Sequence, residues 1–168
     1  MSLIIRAESP FDIGAIHALT KTAFLDAPHT AHTEHFIVDA LRDAGALTIS
    51  LVAEVDGSLV GHVAISPVSI SSGVSNWYGL GPISVLPERQ KQGIGSNLML
   101  SALQQLKAKG ALGCVLVGDP AYYSRFGFVH QNNLTYPDLP AEFFLCLSFS
   151  QSVPRGIATF HEAFSAKG

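Results

Sequence analysis

Residues 77–117 constrain this chain more than any other part of it. A largely apolar run, 77–86, leads into Gln90-Lys91-Gln92-Gly93-Ile94-Gly95-Ser96. Within 93–109, Ile94, Leu98, Ala102 and Leu106 recur at steps of four, which is helical spacing. Lys107 and Lys109 stand in the last turn of that helix and Gly110 just beyond, which suits the dipole and the C-cap. Residues 112–117 are apolar again and predict a second strand. Strand, helix and strand with joins this short make a βαβ unit, so the two strands should run parallel. Gly79, Gly81 and Pro82 interrupt the first strand. Proline removes a ladder donor and glycine weakens pairing, so a bulge or break is expected there.

The remaining segments fit around that unit. Residues 3–6 predict a first strand. Ser9, Pro10 and Asp12 form a helix-start signature, followed by Phe11, Ala15, Leu19 and Ala23 on one stripe and Ile16 and Thr20 on another. A second helix is predicted over 33–44, with Phe36, Ile37, Ala40 and Leu41 on one face. Residues 48–55 and 59–68 read as strands joined by the Asp56-Gly57 hairpin turn. A short helix near 120–125, a run at 126–129, a strand at 142–149 and an apolar piece near 157–160 complete the pattern. The expected class is α/β (α+β mixed): a sheet of about six to seven strands flanked by helices, with hairpins first and a central βαβ unit.

Composition excludes several classes. The 168 residues suit one domain over 1–168. Apolar residues make up 48% and charged residues 14%, the opposite of a disordered chain. Ten Lys+Arg against 13 Asp+Glu give −3, which argues against a nucleic-acid partner. No apolar run approaches the ~20 residues of a membrane span, and the first six residues lack a secretory pattern. Cys114 and Cys146 read as small buried hydrophobes in a reducing compartment, so a cytoplasmic location is expected. The low charge content hints at a homodimer.

A loop such as 90–96 at a helix N-terminus offers unpaired amides and the positive end of a dipole, which favours a phosphate or pyrophosphate. Arg89 and Lys91 add charge beside it. A bare Gly-x-Gly also serves simply as a turn. Ser96-Asn97 after Gly95 does not match a P-loop, and Leu98 stands where a dinucleotide fingerprint wants glycine.

The stretch Gln90-x-x-Gly93-x-Gly95, after a strand and opening a helix, resembles the acyl-CoA pyrophosphate loop of the GNAT N-acetyltransferases. A second segment, Tyr122-Tyr123-Ser124-Arg125-Phe126-Gly127-Phe128, is similar to that family's aromatic-Tyr-x-basic-x-Gly-Phe pattern. Residues 81–88 with Gly118-Asp119-Pro120 look like a group of bacterial predicted N-acetyltransferases of undefined acceptor. The resemblance implies a mostly antiparallel GNAT-like sheet and acetyl-CoA as co-substrate, wedged between the two splayed parallel strands. It places the pyrophosphate on the amides of Gln92, Gly93, Ile94, Gly95 and Ser96, beside Gln90, Lys91 and Arg125. It places the pantetheine along the backbone of Ile83 and Val85, like an added strand. An amide beside the Gly81-Pro82 break, such as that of Ile83, would polarise the thioester carbonyl.

Tyr123 falls at the family's tyrosine position and is the expected general acid for the leaving thiolate. Tyr122 is its neighbour in the cofactor set and a packing partner. Arg125 meets a phosphate or solvent. Asp119 stands where many members carry Asn against pantetheine, and equally suits a helix cap ahead of Pro120. Glu34 and Glu88 are the candidate general bases, with His35 and His62 as further candidates. Trp77 and Tyr78 either line the acceptor pocket or pack in the core. His29, His32 and His35 stand three apart; each step turns about 300° on a helix, so they do not converge on a metal. No metal is expected. The predicted reaction is acetyl transfer to a primary amine, on a small molecule or a peptide, by direct attack in a ternary complex. The alternatives are a non-catalytic acyl-CoA-binding module and a longer acyl donor. No cysteine falls in either motif.

Overall fold

Residues 2–28 and 30–168 are described by the structure, a computed structural model. The strands are β1 (Leu3–Ala7), β2 (Ile49–Val55), β3 (Ser58–Ile70), β4 (Trp77–Val85), β5 (Gly113–Val117), β6 (Leu134–Thr135), β7 (Phe144–Ser148) and β8 (Gly156–Phe160). The helices are α1 (Ile13–Phe24), α2 (Glu34–Asp43), α3 (Ile94–Ala108) and the single turn α4 (Pro120–Tyr123). The sheet runs β1-β2-β3-β4-β5-β7, and β8 extends it beside the far end of β3 while also pairing with β6. All neighbours are antiparallel except β4 with β5 and β6 with β8.

Local chemistry explains most boundaries. Asp56 and Gly57 both take positive φ, 51° and 85°, the geometry a two-residue hairpin turn demands. Asp12 accepts from the Ser9 amide at 2.7 Å, which closes the start of the first helix. The same carboxylate pairs with Arg6 of β1 at 2.7 Å. Phe11, on the first predicted stripe, is 96% exposed, and the buried side of α1 is instead Ile16, Leu19 and Thr20. On α2 the buried set is His35, Ile37, Val38 and Leu41. The run 126–129 forms no strand: Gly127 turns left-handed (φ 94°) and Val129 makes a lone bridge to Cys146. The predicted strand at 142–149 begins at Phe144, because residues 141–143 coil into a 3-10 turn after Pro140.

The two faces of the sheet are covered separately. Leu98, Met99, Ala102 and Leu106 of α3 bury completely against Val63, Ile65, Leu116 and Phe128. Ile16 of α1 and Val38 of α2 pack with Val52 on the opposite face. Tyr78 packs against the α3-side core, and Trp77, 2% exposed, lies in a third cluster with Val68, Ile70, Val115 and Phe144.

The feature that makes a site is a split in the sheet. β4 and β5 pair only at Trp77–Gly113, Tyr78–Cys114 and Gly79–Val115. β4 then continues through residues 80–85, held by β3 alone. Its register against β3 shifts between Val63 and Ile65, opposite the Gly81-Pro82 interruption. The backbone edge of residues 80–85 that faces β5 is therefore free to receive an extended ligand.

Candidate active site

Beyond the end of β4, residues 87–89 make a 3-10 turn and Gln90 is extended. Lys91 and Gly93 then take left-handed backbone, φ 64° and 83°. Gly93 is the N-cap of α3, and a Cβ there would meet open space, so glycine is required by conformation and not by crowding. Gln90 Nε2 donates to the Val85 carbonyl (3.3 Å) and Gln92 Nε2 to that of Glu88 (3.4 Å), tying the loop to the strand it leaves.

The split and this loop enclose a cavity of about 570 Å³. Ile83, Ser84 and Val85 form one wall; Gln90, Lys91, Gly93, Ile94, Gly95 and Ser96 form its floor. Tyr122, Tyr123 and Arg125 close the other side, and Arg89 joins them. Arg89 was not in the expected binding set beyond its charge, and Ser84 was not in it at all. Gln92 and Asp119 do not line the cavity. Asp119 Oδ1 accepts the Ala121 amide at 2.9 Å, so its side chain caps α4.

The aromatic segment is locked by packing. The Tyr122 and Tyr123 rings meet edge to face at 4.9 Å. Arg125 lies over the Tyr122 ring, 4.4 Å from its centroid, and donates from Nε to the Tyr122 carbonyl at 2.9 Å. Tyr123 packs so closely on Gly118 that a Cβ there would stand 2.3 Å from Tyr123 Cε2. Burial pushes the Tyr123 phenol above its ordinary pKa, and neighbouring Tyr122 adds to the shift, so the group is held as a proton donor at neutral pH.

A second cavity, of about 530 Å³, opens on the other side of the split. Ile83 and Tyr123 line both cavities, so the two meet at those residues. Its walls come from Phe24 of α1, Glu34 and Ile37 of α2, residues 80–83 and Leu116, and from Phe160 and Phe164 near the C-terminus. Glu34 Oε2 accepts a hydrogen bond from the Thr30 hydroxyl, while Oε1 is buried with no partner among the described residues. The C-terminal aromatics escaped sequence reasoning, since each is locally an ordinary apolar residue.

The other candidate bases lie elsewhere. Glu88 is exposed on the 3-10 turn and lines neither cavity. His35 is buried between the His17 and Phe36 rings, and burial lowers its pKa. His62 is inside the sheet, Nε2 2.8 Å from Ser50 Oγ. His32 turns Nδ1 to the Phe24 carbonyl at 2.9 Å, away from His35; His29 lies outside the described residues. Burial raises the thiol pKa of Cys114, and takes that of Cys146 up to about 11, so neither is a ready nucleophile.

Residues 14–128 match the acetyltransferase (GNAT) family. The chain belongs to that family. As a GNAT protein it is 38% identical over 127 residues to the uncharacterized N-acetyltransferase YhbS of Escherichia coli K12, covering 75% of this chain and 73% of that one. Among solved structures, it is similar to a GNAT family acetyltransferase from Brucella melitensis in complex with acetyl-CoA: 47% identity, TM-score 0.87, 97% and 98% of the two chains covered. It is likewise similar to E. coli YhbS in complex with CoA: 32% identity, TM-score 0.88, 99% and 93% covered. The GNAT chain is thus an N-acetyltransferase with the mostly antiparallel sheet of its family. Among the described residues, no helix is long and apolar enough to cross a membrane.

Proposed function

We propose that acetyl-CoA occupies the cavity between β4 and the start of α3, and that a primary amine enters from the opposite side to meet it at Tyr123. The observation that carries this reading is a pair of cavities that, among the described residues, share Ile83 and Tyr123 as lining. The amides at the α3 N-terminus, with Arg89, Lys91 and Arg125, suit a pyrophosphate. The free edge of β4 at Ile83 and Val85 suits the amide-bearing pantetheine arm. Two GNAT structures of 47% and 32% identity hold acetyl-CoA and CoA.

Glu34 accepts the proton that the ammonium must lose before its nitrogen attacks the acetyl carbon. As the carbon–sulfur bond breaks, Tyr123 Oη passes its proton to the departing thiolate, whose pKa is about 8.5 by analogy with cysteine. The nitrogen's second proton leaves as the amide forms and restores the Tyr123 phenol, so the one net proton released is the one that Glu34 took. Transfer is direct, because neither cysteine reaches either cavity.

The first test is the melting temperature with acetyl-CoA, CoA and ATP. At ~100 times its dissociation constant, a ligand stabilises the fold by about 2.7 kcal/mol, several degrees for a chain this long. A shift with both CoA species and none with ATP is expected; no shift with either CoA species would overturn the assignment of this cavity. Tyr123→Phe should then lower turnover at least about tenfold while leaving that shift in place. Unchanged turnover would remove Tyr123 from the mechanism.

A further inference from the structure

Resting on the acetyl-transfer reading above, we propose that the acceptor is a primary amine with one positive charge, carried on an apolar body. The acceptor cavity holds about 530 Å³, within the ordinary range for small-molecule sites. Phe24, Ile37, Leu80, Leu116, Phe160 and Phe164 give its wall large apolar side chains. Among the described residues lining it, Glu34 is the sole Asp, Glu, Lys, Arg or His.

That carboxylate is half-satisfied. The Thr30 hydroxyl donates to one oxygen, and the buried Oε1 has no donor among the described residues. A buried acceptor left without a hydrogen bond is costly, and one ammonium supplies the missing N–H together with the opposite charge. The other described residues of the lining offer a second ammonium no anion. Placed against Ile37, Leu116 or Phe164, it would lose hydration with nothing in return. Methylenes or a ring in the same place would gain from burial.

The neighbouring cleft explains why a diamine is the right control. It encloses about 720 Å³, shares Tyr136, Phe160 and Phe164 with the acceptor cavity, and carries Asp138 and Glu162. Both carboxylates are exposed to solvent, where an ion pair contributes little. A long diamine reaching them would still thread its chain past the aromatic wall, and its second charge would be held only weakly.

The experiment measures CoA thiol release from acetyl-CoA with butylamine, hexylamine, 2-phenylethylamine and 1,6-diaminohexane. From butylamine to hexylamine, kcat/KM should rise about fourfold per added methylene. Hexylamine should exceed 1,6-diaminohexane by at least about tenfold, and 2-phenylethylamine should match or exceed hexylamine. Glu34→Gln should lower kcat/KM for hexylamine while the acetyl-CoA melting shift stays, which shows that the variant is folded. Parity or preference for the diamine, a flat chain-length series, or indifference to Glu34→Gln would overturn the proposal while leaving acetyl transfer standing. A melting shift with acetyl-CoA but no acetylation of any of the four amines would overturn the proposal alone. Absence of the shift would instead overturn the cofactor assignment on which it rests.

Discussion

Lowering the pH from 7.5 to 5 should destabilise this protein by about 2 kcal/mol through one residue, His62. The ring is fully buried on β3. Ser50 donates its hydroxyl proton to Glu8, and so accepts from His62 Nε2–H. Nδ1 is left as a bare, buried lone pair. Protonating it would place a charge in the sheet interior, near the Arg42 guanidinium. Burial is the largest cause of a pKa lowered to about 4 from the ordinary 6.5; Glu8 opposes the shift and Arg42 adds to it. The folded state thus stays neutral through the window in which the unfolded chain takes up a proton. Stability attributable to His62 is intact above pH 6.5 and drains away as the pH falls towards 4. Integrating between those two pKa values gives about 2 kcal/mol lost by pH 5 and roughly 3 kcal/mol below pH 4. The lowered pKa of Glu8 acts below its ordinary 4.5, so its effect lies mostly outside this window. His35, also lowered by burial, adds in the same direction. Urea unfolding of wild type and His62→Gln at several pH values separates the two histidines, because the variant retains the His35 contribution. Identical pH dependence in both proteins would refute the reasoning, as would an NMR ring signal of His62 titrating near 6.5 in the folded wild type.

Two glycine substitutions test how tightly the site is framed. Gly118→Ala places a methyl group where Tyr123 Cε2 would be 2.3 Å away, so the ring must move. Acetyl transfer should fall at least about tenfold with the acetyl-CoA melting shift retained, since a proton donor works only in reach of its target; wild-type turnover would show that this seat does not matter. Gly113→Ala sets a Cβ within 2.3–2.6 Å of three Trp77 ring atoms in a closed core. Overpacking there should cost about 1–3 kcal/mol and lower Tm by several degrees; an unchanged Tm would mean that the Trp77 ring shifts freely.

The proposed donor half of the site is legible in sequence because its chemistry is local. Gly93 must adopt left-handed backbone to start α3, and the residues beside it share one helix N-terminus, so spacing alone brings them together. The same holds for Tyr122, Tyr123 and Arg125, which α4 and the 3-10 turn after it set among the lining residues of the cavity. Asp119 was readable in two ways, and the adjacent Ala121 amide decides for the cap. Helix α1 shows where periodicity stops: two stripes were available, and the sheet accepts Ile16 and Thr20 of one with Leu19 of the other, while Phe11 and Ala15 face water. The acceptor half draws on α1, α2, β4, β5 and β8, and no local pattern marks Phe24, Leu116 or Phe160 as neighbours. Glu34 could be named as a candidate from its residue type, but not distinguished from Glu88. What distinguishes them is burial: Glu34 keeps one oxygen inside a cavity with no partner among the described residues, whereas Glu88 stands in solvent. Such a difference arises only when α2 docks on the sheet, so it belongs to the packed structure and not to any stretch of sequence.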